Sequence, residues 1–255
     1  MDKIIQIDSV NLIYHNKNFE TEALKDLTLS IDKGEFVSIV GPSGCGKTTI
    51  LSLISGLLKP TAGKILVDNQ KPNLKNTKCG YMFQKDNLLP WRTIEKNLYL
   101  GLEIQHKNTK ENKAYALNLL KKYGLENFKN KRPDELSGGM RQRVSLIRTL
   151  ALKPDILLLD EPFSALDFQT RLSVCDDVAK IIKSENKTAV LVTHDLNEAI
   201  SMSNKIIVLS SRPGTVKAIH TLHFDTNLTP FEKRNLEKSK TLFDKIWSEI
   251  QNEKK

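Results

Sequence analysis

The sequence predicts an α/β protein in which a parallel sheet carries helices on its faces, with one mostly helical stretch set into it. Three observations carry this. Short apolar runs alternate with segments of helical periodicity along most of the chain. A glycine-rich motif sits between one such run and a helix. Residues 92 to 152 are mostly helical and interrupt the alternation. The 255 residues allow one large domain or two small ones, either with a sizeable core. Hydrophobic residues at 39% and charged residues at 27% fit a soluble globular chain and argue against disorder.

In chain order, Ile5, Ile7 and Val10 and then Leu27, Leu29 and Ile31 mark two strands of period two. Asp32, Lys33 and Gly34 make a turn. Phe36 to Val40 is a short buried strand, and after the glycine-rich loop Ile50, Leu53, Ile54 and Leu57 fall at helical spacing. Ala116, Leu119, Leu120 and Tyr123 form another helical stripe, which Gly124 stops. Ile156 to Leu159, Thr188 to Val192 and Ile206 to Leu209 read as strands, with helix over 170 to 184. Phe243, Ile246, Trp247 and Ile250 line one face of a tail helix, expected to dock on its own domain.

Several classes are disfavoured. The longest apolar runs, such as Ile156 to Leu159, fall far short of the roughly 20 residues a membrane helix needs, so no bilayer span is expected. The opening MDKIIQIDSV has an acid at position 2 and no long apolar run, so no secretory signal is expected. Cys45, Cys79 and Cys175 are odd in number and widely spaced, which fits a reducing compartment rather than a disulfide framework. The net charge is +9, but 31 of the 39 basic residues are Lys and they are dispersed. That reads as a solvated surface or as attraction to an anionic membrane face. A nucleic-acid partner, which would call for clustered Arg and Lys, is not expected.

Chemistry enters at Gly41, Pro42, Ser43, Gly44, Cys45, Gly46, Lys47 and Thr48, which match G-x-x-x-x-G-K-[ST]. The glycines let the backbone curl so that successive N–H groups point at phosphate oxygens, and the next helix adds its positive end. Lys47 would reach the terminal phosphates, the Thr48 hydroxyl suits Mg²⁺, and Thr49 falls in the same nucleotide-binding set. Cys45 reads as a small filler of the loop, with a reactive thiol as the alternative. Asp160 and Glu161 close a buried strand. Asp160 would hold Mg²⁺, and Glu161 would polarise an attacking water. Ser137, Gly138 and Gly139 open a helix. Alone they are a helix cap; beside the other motifs they form a second anion site.

Together these motifs resemble the ATP-binding subunits of ABC transporters over roughly residues 3 to 220. The resemblance implies a P-loop NTPase with a RecA-like core, an antiparallel β layer and a helical subdomain at about 88–150. The ABC ATPase domain would span 1–220, and a helical tail 221–255. It implies that Tyr14 stacks on adenine, the alternative being a core aromatic at a strand end. Gln84 would reach Mg²⁺ and the attacking water, and His194, 33 residues beyond Glu161, would hold the γ-phosphate. Ser164, Ala165, Leu166 and Asp167 match the loop that contacts a second copy.

Position 140 is Met where the family usually has Gln, which loses one amide and keeps Ser137 and both glycines. With Arg141, Gln142 and Arg143 after it, this is similar to the importers of nitrate, sulfonates and taurine. So are the segments from Phe83 to Thr93 and from Leu209 to Gly214. The resemblance further implies ATP and Mg²⁺ as cofactors, and a homodimer closing on two ATP molecules. It implies an integral-membrane permease, a solute-binding protein beyond it, and a peripheral place on the cytoplasmic membrane face. Leu88 to Trp91 would receive the permease, unless they only pack locally. A soluble ABC ATPase of assembly or repair shares every catalytic motif. A P-loop kinase or GTPase shares residues 41 to 48 but has no use for 136 to 143.

Overall fold

The computed structural model describes residues 2–15, 19–73, 78–225 and 227–252. The chain divides into two compact units, Met1–Thr77 with Lys187–Lys255, and Lys78–Asn186. The first opens with β1 (Lys3–His15) and β2 (Glu20–Asp32), paired antiparallel with Ile7 opposite Leu29. Ile5, Ile7, Val10, Leu27, Leu29 and Ile31 are all buried as read, but the period of two is interrupted: the β1–β2 register shifts between Ile7 and Val10, where Ser9 adopts φ 46, and this returns Val10 to the buried side. Gly34 turns at φ 81, and β3 (Phe36–Val40) follows with every residue buried. α1 (Lys47–Ile54) is shorter than its apolar spacing suggests. Gly56 adopts φ 78 just past the Ser55 cap, so Leu57 leaves the stripe and is 51% exposed. β4 (Ala62–Val67) pairs antiparallel with β1 and completes a layer ordered β2-β1-β4. The sequence hides this strand because its first three residues are exposed.

The second unit contains β5 (Cys79–Met82), α2 (Ile94–Ile104), α3 (Lys110–Lys122), α4 (Gly138–Leu150), β6 (Ile156–Asp160) and α5 (Phe168–Ser184). Each helix begins at a side-chain cap: Thr93, Thr109, Ser137 and Asp167 accept a backbone N–H of the first turn. Gly124, at φ 73, ends the α3 region as expected. α2, α3 and α5 pack on α4. β5 runs parallel to β6, with Met82 opposite Leu159.

The chain then returns to the first unit with β7 (Thr188–Val192), α6 (Leu196–Met202), β8 (Lys205–Leu209), β9 (Val216–Thr221), α7 (Pro230–Arg234) and α8 (Glu237–Gln251). β7, β3 and β8 are parallel neighbours, with Ser38 between Leu191 and Ile206, and β9 runs antiparallel to β8. This is the parallel arrangement that the alternation predicts. α8 docks on its own unit. Ile246 and Ile250 enter a cluster with Leu196, Ile200, Ile206, Val208 and Leu222, each such burial stabilising by about 1.5–3 kcal/mol. Trp247 departs from the expected stripe: it is 48% exposed and stacks on Phe243 at 6.1 Å.

Candidate functional site

In the first unit the glycine-rich loop leaves buried Val40 and curls into α1. Gly44 at φ 76 and Gly46 at φ 98 occupy the left-handed region that glycine alone enters without cost. A side chain at Gly46 would also meet Leu24 at 2.7 Å. Lys47 is 8% exposed, and its ammonium donates back across the loop to the Gly41 and Pro42 carbonyls at 3.0 and 2.8 Å. Cys45 is fully buried, and burial pushes its thiol pKa up in spite of nearby Lys47. It is therefore a filler and not a thiolate nucleophile. Ser43 and Thr48 are exposed.

Tyr14, near the end of β1, is 39% exposed and so is no core aromatic. Its hydroxyl lies 3.2 Å from Thr49 Oγ1. His194 follows β7 on an exposed position. Its two chain neighbours are fixed: the buried Thr193 hydroxyl donates to Glu198 at 2.6 Å, and Asp195 caps α6.

In the second unit β6 delivers Asp160 at its last residue and Glu161 just beyond. Glu161 sits at φ 46, a left-handed conformation that costs a non-glycine residue about 1–2 kcal/mol. Tyr81 on β5 donates its hydroxyl to Asp160 Oδ2 at 3.0 Å, and its ring stacks on Phe83 at 4.5 Å. Gln84 donates to Ser164 Oγ at 3.0 Å, and Ser164 donates to the Glu161 carbonyl at 2.9 Å. One hydroxyl thus joins the glutamine to the carboxylate strand. The motifs assign neither this bridging place of Ser164 nor the place of Tyr81. Both depend on the pairing of β5 with β6, which spacing does not reveal.

Ser137 caps α4, accepting from Met140 N–H at 3.3 Å. Gly139 is buried against α5, where a Cβ would stand 2.8 Å from Val174 and 2.9 Å from Thr170. That gives this glycine a packing reason of its own. Gly138 is half-buried beside Leu166. The polar side of α4 holds the segment after Gln84. Arg141 pairs with Asp86 at 3.0 Å, and Arg148 donates to the Asp86 and Asn87 carbonyls, each at 2.7 Å. Beyond them Leu88 is buried while Trp91 is 70% exposed.

The Thr48 hydroxyl and the Asp160 carboxylate are hard oxygens, the donor chemistry Mg²⁺ takes when most of its shell is water and phosphate. Among the described residues no helix is long and apolar enough to cross a membrane.

Comparison with known proteins bears on this arrangement. The family profile described as ABC transporter matches residues 24–164. The ABC transporter ATP-binding protein YtlC of Bacillus subtilis, itself called uncharacterized, is 49% identical over 247 residues, covering 96% of this chain and 95% of the relative. The nitrate import ATP-binding protein NrtD of Synechocystis is 41% identical, covering 86% of this chain and 82% of the relative. A dimeric ATP-binding cassette, described as a post-hydrolysis state bound to ADP and Pi, superposes with a TM-score of 0.73 at 37% identity. The match covers 87% of this chain and all of the other.

Proposed function

The chain belongs to the ATP-binding subunits of ABC transporters, which hydrolyse ATP, and from that premise we propose that it energises import of a small solute through a membrane permease. The solute class proposed is nitrate, a sulfonate or taurine, supported by the similarity to a nitrate import protein. The reading rests most on one observation: a loop curled by Gly44 and Gly46 around a buried Lys47, on the same chain as Asp160 and Glu161 at the end of β6.

In this proposal the N–H groups of the loop from Gly41 to Thr48, all but that of Pro42, which has none, and the Lys47 ammonium hold the β- and γ-phosphates. Tyr14 stacks on adenine, with its hydroxyl steadied at Thr49. Thr48, Asp160 and Gln84 hold Mg²⁺, which when bound neutralises charge on the phosphates. Glu161 polarises the attacking water, and His194 and Gln84 place it and the γ-phosphate. Ser137, Gly138 and Gly139 of a second copy complete the charge stabilisation. Residues 1–220 form the ABC ATPase domain, with the helical subdomain at about 88–150, and 221–255 form the tail. The segment from Leu88 to Trp91, with Leu88 buried and Trp91 exposed, receives the permease, which puts the homodimer peripherally on the cytoplasmic membrane face. A solute-binding protein stands on the other side.

Two variants test the roles. Glu161→Gln should bind ATP as the wild type does and lose turnover by a factor of about 10²–10⁴ in a phosphate-release assay. Lys47→Ala should lose ATP affinity in an equilibrium titration. Turnover of Glu161→Gln within a few-fold of wild type would remove Glu161 from the chemistry.

A further inference from the structure

The turn between β8 and β9 has no part in the chemistry assigned so far, yet it lies against the outside of the phosphate loop. Arg212 Nε donates to the Gly44 carbonyl at 3.1 Å. One terminal guanidinium nitrogen stands 3.0 Å from where a Gly44 Cβ would be. Gly214 is buried, and a Cβ there would overlap the Cys45 carbonyl oxygen. The turn is itself anchored. Gly214 N–H donates to the Ala23 carbonyl at 2.9 Å, and the Gly214 carbonyl accepts from Lys25 N–H at 3.1 Å. Across its base Ser210 N–H donates to the Thr215 carbonyl at 3.0 Å, and Thr215 N–H donates to Ser210 Oγ at 2.9 Å.

Two consecutive loop carbonyls, those of Gly44 and Cys45, therefore face this turn. In a trans peptide the C=O of one residue and the N–H of the next point opposite ways. The Cys45 and Gly46 N–H groups consequently face away from the turn. For Cys45 that direction is into the loop, toward the Pro42 carbonyl at 3.4 Å. We propose that Arg212 is a positioning residue for the phosphate loop: with Gly214 behind it, its guanidinium holds the Gly44 peptide so that the loop amides are set for phosphate before nucleotide arrives. This rests on the reading of residues 41 to 48 as the phosphate site. Arg212 is exposed, so its replacement leaves the core intact.

The experiment titrates the full chain with a fluorescent ATP analogue and follows thermal unfolding without nucleotide. Arg212→Ala should weaken binding about tenfold, the size of a lost charge-assisted hydrogen bond. Its nucleotide-free Tm should stay within a degree or two of wild type (about, on the scale of an exposed substitution). In turnover KM should rise while kcat holds within about twofold. Arg212→Lys, which retains a cationic donor, should recover most of the affinity. Wild-type affinity in Arg212→Ala, beside a Lys47→Ala control that has lost it, overturns the inference alone. Wild-type affinity in both variants overturns the phosphate-site reading beneath it. A fall in affinity that tracks a fall in Tm and is not recovered by Arg212→Lys makes Arg212 structural and also overturns the inference.

Discussion

Asp160 owes the direction of its carboxylate in part to Tyr81, a phenol from a neighbouring strand, 3.0 Å away. With Asp160 holding Mg²⁺ as proposed, a partner of this kind would orient the ligand, and its loss would weaken metal affinity by about 10–100-fold where the bond is strong. Tyr81→Phe keeps the ring on Phe83 and removes only the hydroxyl. It should raise the Mg²⁺ concentration for half-maximal nucleotide binding several-fold, measured by titrating Mg²⁺ at fixed ATP, with little change in affinity for metal-free ATP. An unchanged Mg²⁺ dependence would assign the bond to strand pairing alone. The residues proposed to bear the site's charges, Lys47, Asp160 and Glu161, stand out in the sequence because of their type and local spacing. Tyr81 does not, and Ser164 stands out only within the loop matched to a second copy, not as the bridge from Gln84 to Glu161, because both contacts depend on neighbours brought close by the fold.

The same division appears in the elements. Strands of broadly alternating or nearly continuous burial, β1, β2, β3, β6, β7 and β8, announce themselves. β4 and β5 do not: one is exposed over half its length, and the other has four residues with Gly80 among them. α1 ends before its apolar spacing does, because the backbone at Gly56 overrides the pattern. The α4–α5 pair carries a prediction. Gly139→Ala places a Cβ within 2.9 Å of both Val174 and Thr170, so it should destabilise the chain by about 1–3 kcal/mol in urea unfolding.

At the far end of α5, Glu185 accepts from Lys122 at 2.7 Å and from Tyr123 at 2.7 Å, tying α3 to α5. Burial alone would raise the Glu185 pKa, but these bonds together hold it below the usual carboxylate value. A carboxylate held low stabilises above its unfolded pKa and loses that contribution as pH falls through the folded one. Glu185→Gln should therefore lower Tm at pH 7, with the gap to wild type closing as pH falls below about 4. A gap that persists in acid would locate the effect in packing.

For the whole molecule, the ATPase chemistry and the transport role have different roots. The first is written in motifs within this chain. The second depends on partners, and what speaks for it is the family, the relative named for nitrate import, and Trp91, 70% exposed beyond the segment that α4 clamps. In the proposed role, hydrolysis by this chain does work only if its motion reaches a membrane partner, and the solute would be selected by proteins this chain does not include. The most direct measurement is therefore a mild-detergent pull-down of the tagged chain from its native membranes, with the partners identified by mass. Recovery of a multi-spanning protein, lost when Trp91 is changed to Glu, is the predicted result. Absence of the chain from the membrane fraction, with only soluble partners recovered, would contradict the importer and leave an ABC ATPase that works elsewhere.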